Sequence, residues 1–384
     1  MYHKLGQIPK KKHTQFRKEN GELYYEELFG NEGFSSDSSL IYHLHPPTQI
    51  KEVKGFKDIN PSVMINNNLT SRKLKGNKII ETTTYHESKV PLLLNNDLII
   101  GVGTPQQGTS TNFYKNATGD ELLFIHFGSG TLKSSLGNLS FTEGDYLIIP
   151  KGVIYKIEFE TEENKFFYVD SSSVIKFPKK YLSAKGQFLE GSPICERDIR
   201  LPVQLETIDE KGSFTVLINK NNKLHEVVYA THPFDVIGWD GYCYPYAISI
   251  YDFEPITGRI HLPPMVHQIF EGHNFVICSF CPRLYDYHPK AIPAPYNHSN
   301  IDSDEVLYYV KGNFMSRDNV KCGDITLHPA GIPHGPHPGT AEKSIGKKGT
   351  DELAVMVDTF KPLKITEQAI HIEDPNYFKS WLTD

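Results

Sequence analysis

Apolar residues along this chain come in short runs, and few of them recur at the three- and four-residue spacing of a helix. Between 98 and 175 four runs stand out: Leu98-Ile99-Ile100-Gly101-Val102, Leu122-Leu123-Phe124-Ile125-His126-Phe127, Tyr146-Leu147-Ile148-Ile149-Pro150 and Phe166-Phe167-Tyr168-Val169. Turn formers separate them, among them Gly119-Asp120, Gly128-Ser129-Gly130 and Glu143-Gly144-Asp145. Short apolar runs bounded in this way read as strands, and strands at this spacing read as a sandwich or barrel. Residues 231–340 repeat the same grammar. Residues 176–230 read as a connecting region with a few strands, and 341–384 as a strand and then a charged tail with a short helix near Tyr377–Trp381. The pattern predicts an all-β protein in two strand-rich halves, with a few short helices.

Composition narrows the picture. A chain of 384 residues is long enough for two or three domains. Its 39% hydrophobic and 12% aromatic content is that of a globular protein. Forty Lys and Arg against 46 Asp and Glu give a net charge of −6, which argues against a nucleic-acid partner. No apolar run approaches the ~18 residues of a membrane span. The basic Lys10-Lys11-Lys12 stretch has no apolar segment after it, so no secretory signal is predicted. Five cysteines are odd in number and sparse, which suits reduced thiols and a cytoplasmic location. Cys278-x2-Cys281 lies in an apolar strand and reads as two buried thiols. Many of the 17 histidines fall between 232 and 337, and the chemistry is sought there.

One pattern occurs twice. The C-terminal copy is His298-x-Asn300-x4-Glu305-x6-Gly312, then Gly323-x5-Pro329-x-Gly331-x2-His334. The N-terminal copy is Tyr114-x-Asn116-x4-Glu121-x6-Gly128, then Gly144-x5-Pro150-x-Gly152-x2-Tyr155. The pair resembles the two motifs of the cupin superfamily, small β-barrels that hold a metal, and its repetition resembles a bicupin. The resemblance implies ligands at His298, Glu305 and His334, with Asn300 where the superfamily has a further histidine. Tyr114 and Tyr155 replace both histidines of the N-terminal copy, which implies a barrel without a metal. Residues two apart on a strand share a face, so His298 and Asn300 are expected to point the same way. Turns at Ile301–Asp304 and Pro329–Pro333 would bring Glu305 and His334 to them. Two imidazoles and one carboxylate favour non-haem Fe(II), with positions left open for substrate and O2. The weakly ligating amide of Asn300 helps keep one position open. Zinc in the same place would imply hydrolysis or isomerisation. Asp302 and Asp304, by proximity, are candidates to orient the ligand imidazoles.

A narrower likeness covers Val236 to Pro338. The segments Val236-Ile237-Gly238-Trp239-Asp240-Gly241, Tyr244-Pro245-Tyr246, Ala294-Pro295-Tyr296-Asn297-His298 and Ile332-Pro333-His334-Gly335-Pro336 resemble the homogentisate 1,2-dioxygenase family. The opening run Tyr24-Tyr25-Glu26-Glu27-Leu28-Phe29-Gly30 is similar too. The resemblance implies an Fe(II) enzyme that cleaves the ring of homogentisate with O2, giving maleylacetoacetate, in tyrosine and phenylalanine catabolism. It implies a histidine base after the Trp-x-Gly motif. His261 and His267 both qualify, and His261 is favoured. His328 matches a further histidine near the family's site, as a substrate contact or a support for a ligand. Phe314 stands where the family carries a tyrosine that contacts substrate, and Tyr296, Asn297 or Tyr309 could supply that hydrogen bond instead. The change keeps other readings open: a dioxygenase for gentisate or another dihydroxy-aromatic acid, or an isomerase-type or non-enzymatic metal bicupin. Relatives imply a homo-oligomer built on trimers. The expected organisation is a 1–230 N-terminal β domain with its degenerate barrel at about 98–175, a 231–345 metal barrel and a 346–384 tail.

Overall fold

The computed structural model describes residues 1–382 except 66–67, 83, 263, 313 and 315–318, with backbone alone at 264 and 265. Strands dominate it, and the α-helices among the described residues are Tyr85–Ser88, Thr340–Ser344 and Glu367–His371. All are under two turns long, as the missing helical period predicts. Among the described residues no helix is long and apolar enough to cross a membrane.

The N-terminal barrel is made of two eight-stranded sheets. One runs Ile199–Arg200, Tyr246–Ser249, Asp145–Ile149, Glu121–Phe127, Lys165–Ser171, Leu98–Gly103, Lys89–Leu94 and Lys364–Ile365. The other follows the order Gly137–Phe141, Gly130–Ser134, Tyr155–Phe159, Phe113–Asn116, Lys211–Lys220, Lys223–Thr231 and Ile50–Asp58, with Gly108–Thr109 paired to the side of Tyr155–Phe159. Leu123 and Ile125 face the barrel interior with Leu147, Tyr155 and Phe166. Leu122 and Phe124 face outward into a second core. Glu121–Phe127 is therefore covered on both faces, which explains an unbroken apolar run in place of alternation.

That second core is shared with the C-terminal barrel. Its six-stranded sheet has the order Gln268–Gly272, Phe275–Phe280, Leu353–Thr359, Asp304–Lys311, Ile325–His328 and Arg72–Leu74. Ile277, Val306, Tyr308, Val355 and Val357 pack on Leu122, Phe124, Ile148 and Phe167 of the N-terminal sheet. The opposite face carries Cys278, Leu307, Tyr309, Phe314 and Met356. Among the described residues the wall over that face has little regular structure: Arg283–Leu284 pairs with Gly349–Thr350, and His298 bridges His334. Loops therefore form most of the cover over the inner face.

Three elements depart from the organisation read in the sequence. Leu353–Thr359 lies in the middle of the C-terminal sheet, between Phe275–Phe280 and Asp304–Lys311, so the barrel does not end at 345. Buried on nearly every residue, it lacks the alternation that marks a half-exposed strand. The connecting region holds the long hairpin Lys211–Lys220 and Lys223–Thr231, joined in parallel to Phe113–Asn116. His3–Gly6 pairs with Val236–Gly241, so the chain start crosses the expected 230/231 boundary. Cys278 and Cys281 are buried thiols that form no disulfide, and burial raises both above the usual thiol range.

Candidate metal centre

Glu305 is the second residue of the Asp304–Lys311 strand and shares the inner face with Leu307 and Tyr309. Asp304 secures the strand's start: one oxygen accepts from the Ala330 amide at 2.8 Å and the other from Leu363 at 2.7 Å. His298 and His334 meet across an isolated antiparallel bridge, exchanging backbone hydrogen bonds of 2.8 and 2.9 Å. Their ring centroids are 4.3 Å apart. Gly335 permits this approach, since a Cβ there would lie 2.4 Å from Asn297 Oδ1 and 2.8 Å from its Cα.

The donor atoms of His298, Glu305 and His334 lie within 4.8 Å of one another. His298 Nε2 is 3.6 Å from Glu305 Oε2, and His334 Nε2 is 3.7 Å from Oε1. These gaps are too long for hydrogen bonds and suit donors around a common centre. His298 Nδ1 lies 3.1 Å from the Tyr296 carbonyl and His334 Nδ1 3.3 Å from that of Ile332. A carbonyl only accepts, so each Nδ1 carries the proton and each Nε2 turns a lone pair to the carboxylate. His334 Nε2 is buried and without a hydrogen-bond partner among the described residues. An orphaned acceptor beside a carboxylate fits a cation in this place. Main-chain carbonyls two residues upstream thus orient both imidazoles, and not the aspartates expected from proximity. Asp304 is engaged by the two amides.

Burial pushes the Glu305 carboxyl up, but its histidine neighbours outweigh that and it stands well below the usual carboxylate range; with the tautomers above, His328 is the ring that donates to it, at 2.9 Å. Asp358 lies directly opposite Glu305 on the next strand. Burial, and then the charge of Glu305, pushes its carboxyl up to about 8. The sequence reading did not single out Asp358. Its signal was there: it stands two residues past Met356 in an apolar strand, on the same face.

The other predicted residues fall around this centre. His328 is fully buried, with Nδ1 2.9 Å from Glu305 Oε1. Tyr296 is 54% exposed, and its hydroxyl donates to the His261 carbonyl at 3.3 Å while its ring meets the His261 ring at 4.7 Å. His261 Nδ1 is 3.2 Å from Asp286 Oδ2. His261 and His267 line one pocket with Arg283 and Asp286. His267 is buried beside Phe280, and burial, then Arg283 and His261, push it down to about 3. Asn300 is half-buried in irregular backbone, so the common strand expected for it and His298 does not form. Phe314 is buried with its ring 4.7 Å from that of Tyr309. The Tyr309 hydroxyl meets Thr326 Oγ1 at 3.1 Å. Asp286 is invisible to local reading, because only folding brings it to His261.

The N-terminal barrel repeats the frame with other chemistry. Glu121 pairs with Ile149 and Asp170 as Glu305 pairs with His328 and Asp358. Tyr114 pairs with Tyr155 as His298 pairs with His334. Lys89 Nζ donates to Glu121 at 2.9 Å and to Asp170 at 2.6 Å, and the Tyr155 hydroxyl donates to Glu121 at 2.7 Å.

Two such barrels, the second with two imidazoles and a carboxylate inside, define a bicupin. Among solved structures, a cupin 2 conserved barrel domain protein from Leptotrichia buccalis is similar at 12% identity over 78% of this chain and 99% of its own, with a TM-score of 0.34. A family model described as homogentisate 1,2-dioxygenase N-terminal matches residues 92–252, and its C-terminal counterpart matches 261–383. A Saccharolobus solfataricus protein provisionally named a dioxygenase is 42% identical over 100% of this chain and 99% of its own length. The homogentisate 1,2-dioxygenase of Mus musculus is 25% identical over 75% of this chain and 67% of its own, and that of Homo sapiens 24% over the same shares. The chain belongs to the homogentisate 1,2-dioxygenase family, a family of metal-dependent oxygenases.

Proposed function

We propose that this protein is an Fe(II)-dependent ring-cleaving dioxygenase that converts homogentisate and O2 to maleylacetoacetate, in tyrosine and phenylalanine catabolism. The observation that carries the reading is the cluster of His298, Glu305 and His334, with the buried Nε2 of His334 turned toward the carboxylate. Two imidazoles and a carboxylate suit Fe(II) and leave positions for substrate and O2. Iron, when bound, makes the substrate hydroxyl more acidic and lets ring and O2 exchange electrons.

The chain's own groups supply the rest. His261 takes the proton of the substrate hydroxyl. Its Nδ1 is held at Asp286, so Nε2 is the nitrogen that accepts. Tyr296 joins this base to the centre: its hydroxyl contacts His261 and its carbonyl orients His298. The apolar face of Leu307, Phe314 and Met356 excludes water beside the cluster. Both oxygen atoms enter the product and one ring carbon–carbon bond is cut. The reading includes a homo-oligomer built on trimers.

A second reading keeps the reaction and changes the substrate to gentisate or another dihydroxy-aromatic acid. Phe314 favours it, because its buried ring offers no hydroxyl where the family has one. Oxygen uptake by protein loaded anaerobically with Fe(II) decides between them. Uptake with homogentisate alone is expected. Uptake with gentisate alone would replace the substrate, and no uptake with either, in iron-loaded protein, would overturn the reaction. Protein that takes up Zn(II) and not Fe(II) would favour the isomerase-type alternative.

A further inference from the structure

The short 3-10 helix Tyr377–Trp381, near the chain's end, packs behind the carboxylate of the metal centre. His328 lies between them, wholly buried, with Nδ1 2.9 Å from Glu305 Oε1 and Nε2 3.4 Å from the Tyr377 hydroxyl. An ionised Glu305 can only accept, so Nδ1 of His328 carries the proton. Nε2 is then the acceptor, and the Tyr377 hydroxyl donates to it. The hydrogen bonds run in one direction, Tyr377 to His328 to Glu305.

The hydroxyl is held in place from outside the site. Asp374, three residues before it, pairs with Lys73 at 3.0 Å, and Glu373 pairs with Arg72 at 2.6 Å on the sheet's edge strand. Trp381 stacks on His337 at 4.0 Å, and Ser380 Oγ meets His337 Nε2 at 2.7 Å. In the N-terminal barrel Ile149 stands at the register position of His328, so that barrel has no such chain.

We propose that Tyr377 is a positioning residue of the metal centre. Its hydroxyl fixes the tautomer and ring plane of His328. His328 in turn engages Oε1 of Glu305 and leaves Oε2 facing His298. This rests on the metal reading above and extends the site to the Tyr377–Trp381 segment. Partners behind a metal ligand commonly change metal affinity by about 10–100-fold.

The test is Co(II) binding by calorimetry to the metal-depleted full chain, with the unfolding temperature of the metal-free protein read in parallel. Tyr377→Phe should weaken Co(II) binding by about 10–100-fold with the unfolding temperature unchanged. The double variant with His328→Gln should bind no more weakly than His328→Gln alone, because the hydroxyl acts through that ring. Unchanged Co(II) affinity in Tyr377→Phe, whether or not its unfolding temperature falls, overturns the inference. So do losses that simply add in the double variant. Unaltered protein that binds neither Co(II) nor Fe(II) overturns the metal reading itself, and the two failures are thereby distinct.

Discussion

A histidine serves as a base when one nitrogen is open to substrate and its pKa stays near neutrality. His267 fails that test, since it is buried and pushed down to about 3. His261 keeps a part-exposed ring with Nδ1 at Asp286. His261→Ala is expected to lower the turnover of iron-loaded protein by about 10²–10⁴-fold and to leave iron content unchanged. Equal turnover would move the base elsewhere, and lost iron would make His261 part of the metal centre. Both histidines were visible in the sequence, which favoured His261, yet the physical grounds for separating them were not. They depend on Asp286, 25 residues away, and on burial, which no local pattern reports. The same holds for the groups that orient His298 and His334: backbone carbonyls carry no residue identity to read.

At the level of elements, the repeat was legible because each barrel needs the same turns. The glycines and prolines of both copies stand at matching spacings, and the strands between them pair in the same register. Lys89 was not legible, since it comes from a strand outside the repeated motif. Its ammonium bridges Glu121 and Asp170 deep in the N-terminal barrel, with the Tyr168 ring 4.5 Å away. The two carboxylates it bridges stand at the register positions that Glu305 and Asp358 hold in the other barrel. Lys89→Met leaves two buried carboxylates without their partner, and is expected to cost about 3–5 kcal/mol of unfolding free energy in a urea titration. Metal content per chain should not change. A second bound ion in the unaltered protein, or loss of stability under 1 kcal/mol (roughly the value of an exposed pair), would contradict this assignment of Lys89.

Over the whole molecule, the two barrels share one core and are stitched by the chain ends. Tyr146 in one barrel meets Ser279 in the other at 2.9 Å, and His126 reaches the Val310 carbonyl at 3.1 Å. Lys364–Ile365 returns from the second barrel to pair with Leu93 and Leu94 of the first. Residues 1–230 alone would lack the Tyr246–Ser249 strand and expose Leu122, Phe124, Ile148 and Phe167. The full chain is therefore expected to unfold in one calorimetric transition, and the 1–230 fragment to show no cooperative transition of its own. Two resolved transitions, or a fragment that melts cooperatively, would make the barrels independent. The sequence by itself determined the all-β class and the twofold motif and marked His298, Glu305 and His334 as candidate donors, because turn chemistry and donor identity are local. Only the tertiary structure decided that Leu353–Thr359 is a central strand, that Asp286, Asp358 and Tyr377 stand behind the site, and that a lysine fills the other barrel. Those facts depend on register and on contacts between residues far apart in the chain, which burial and strand pairing set after the local pattern is exhausted.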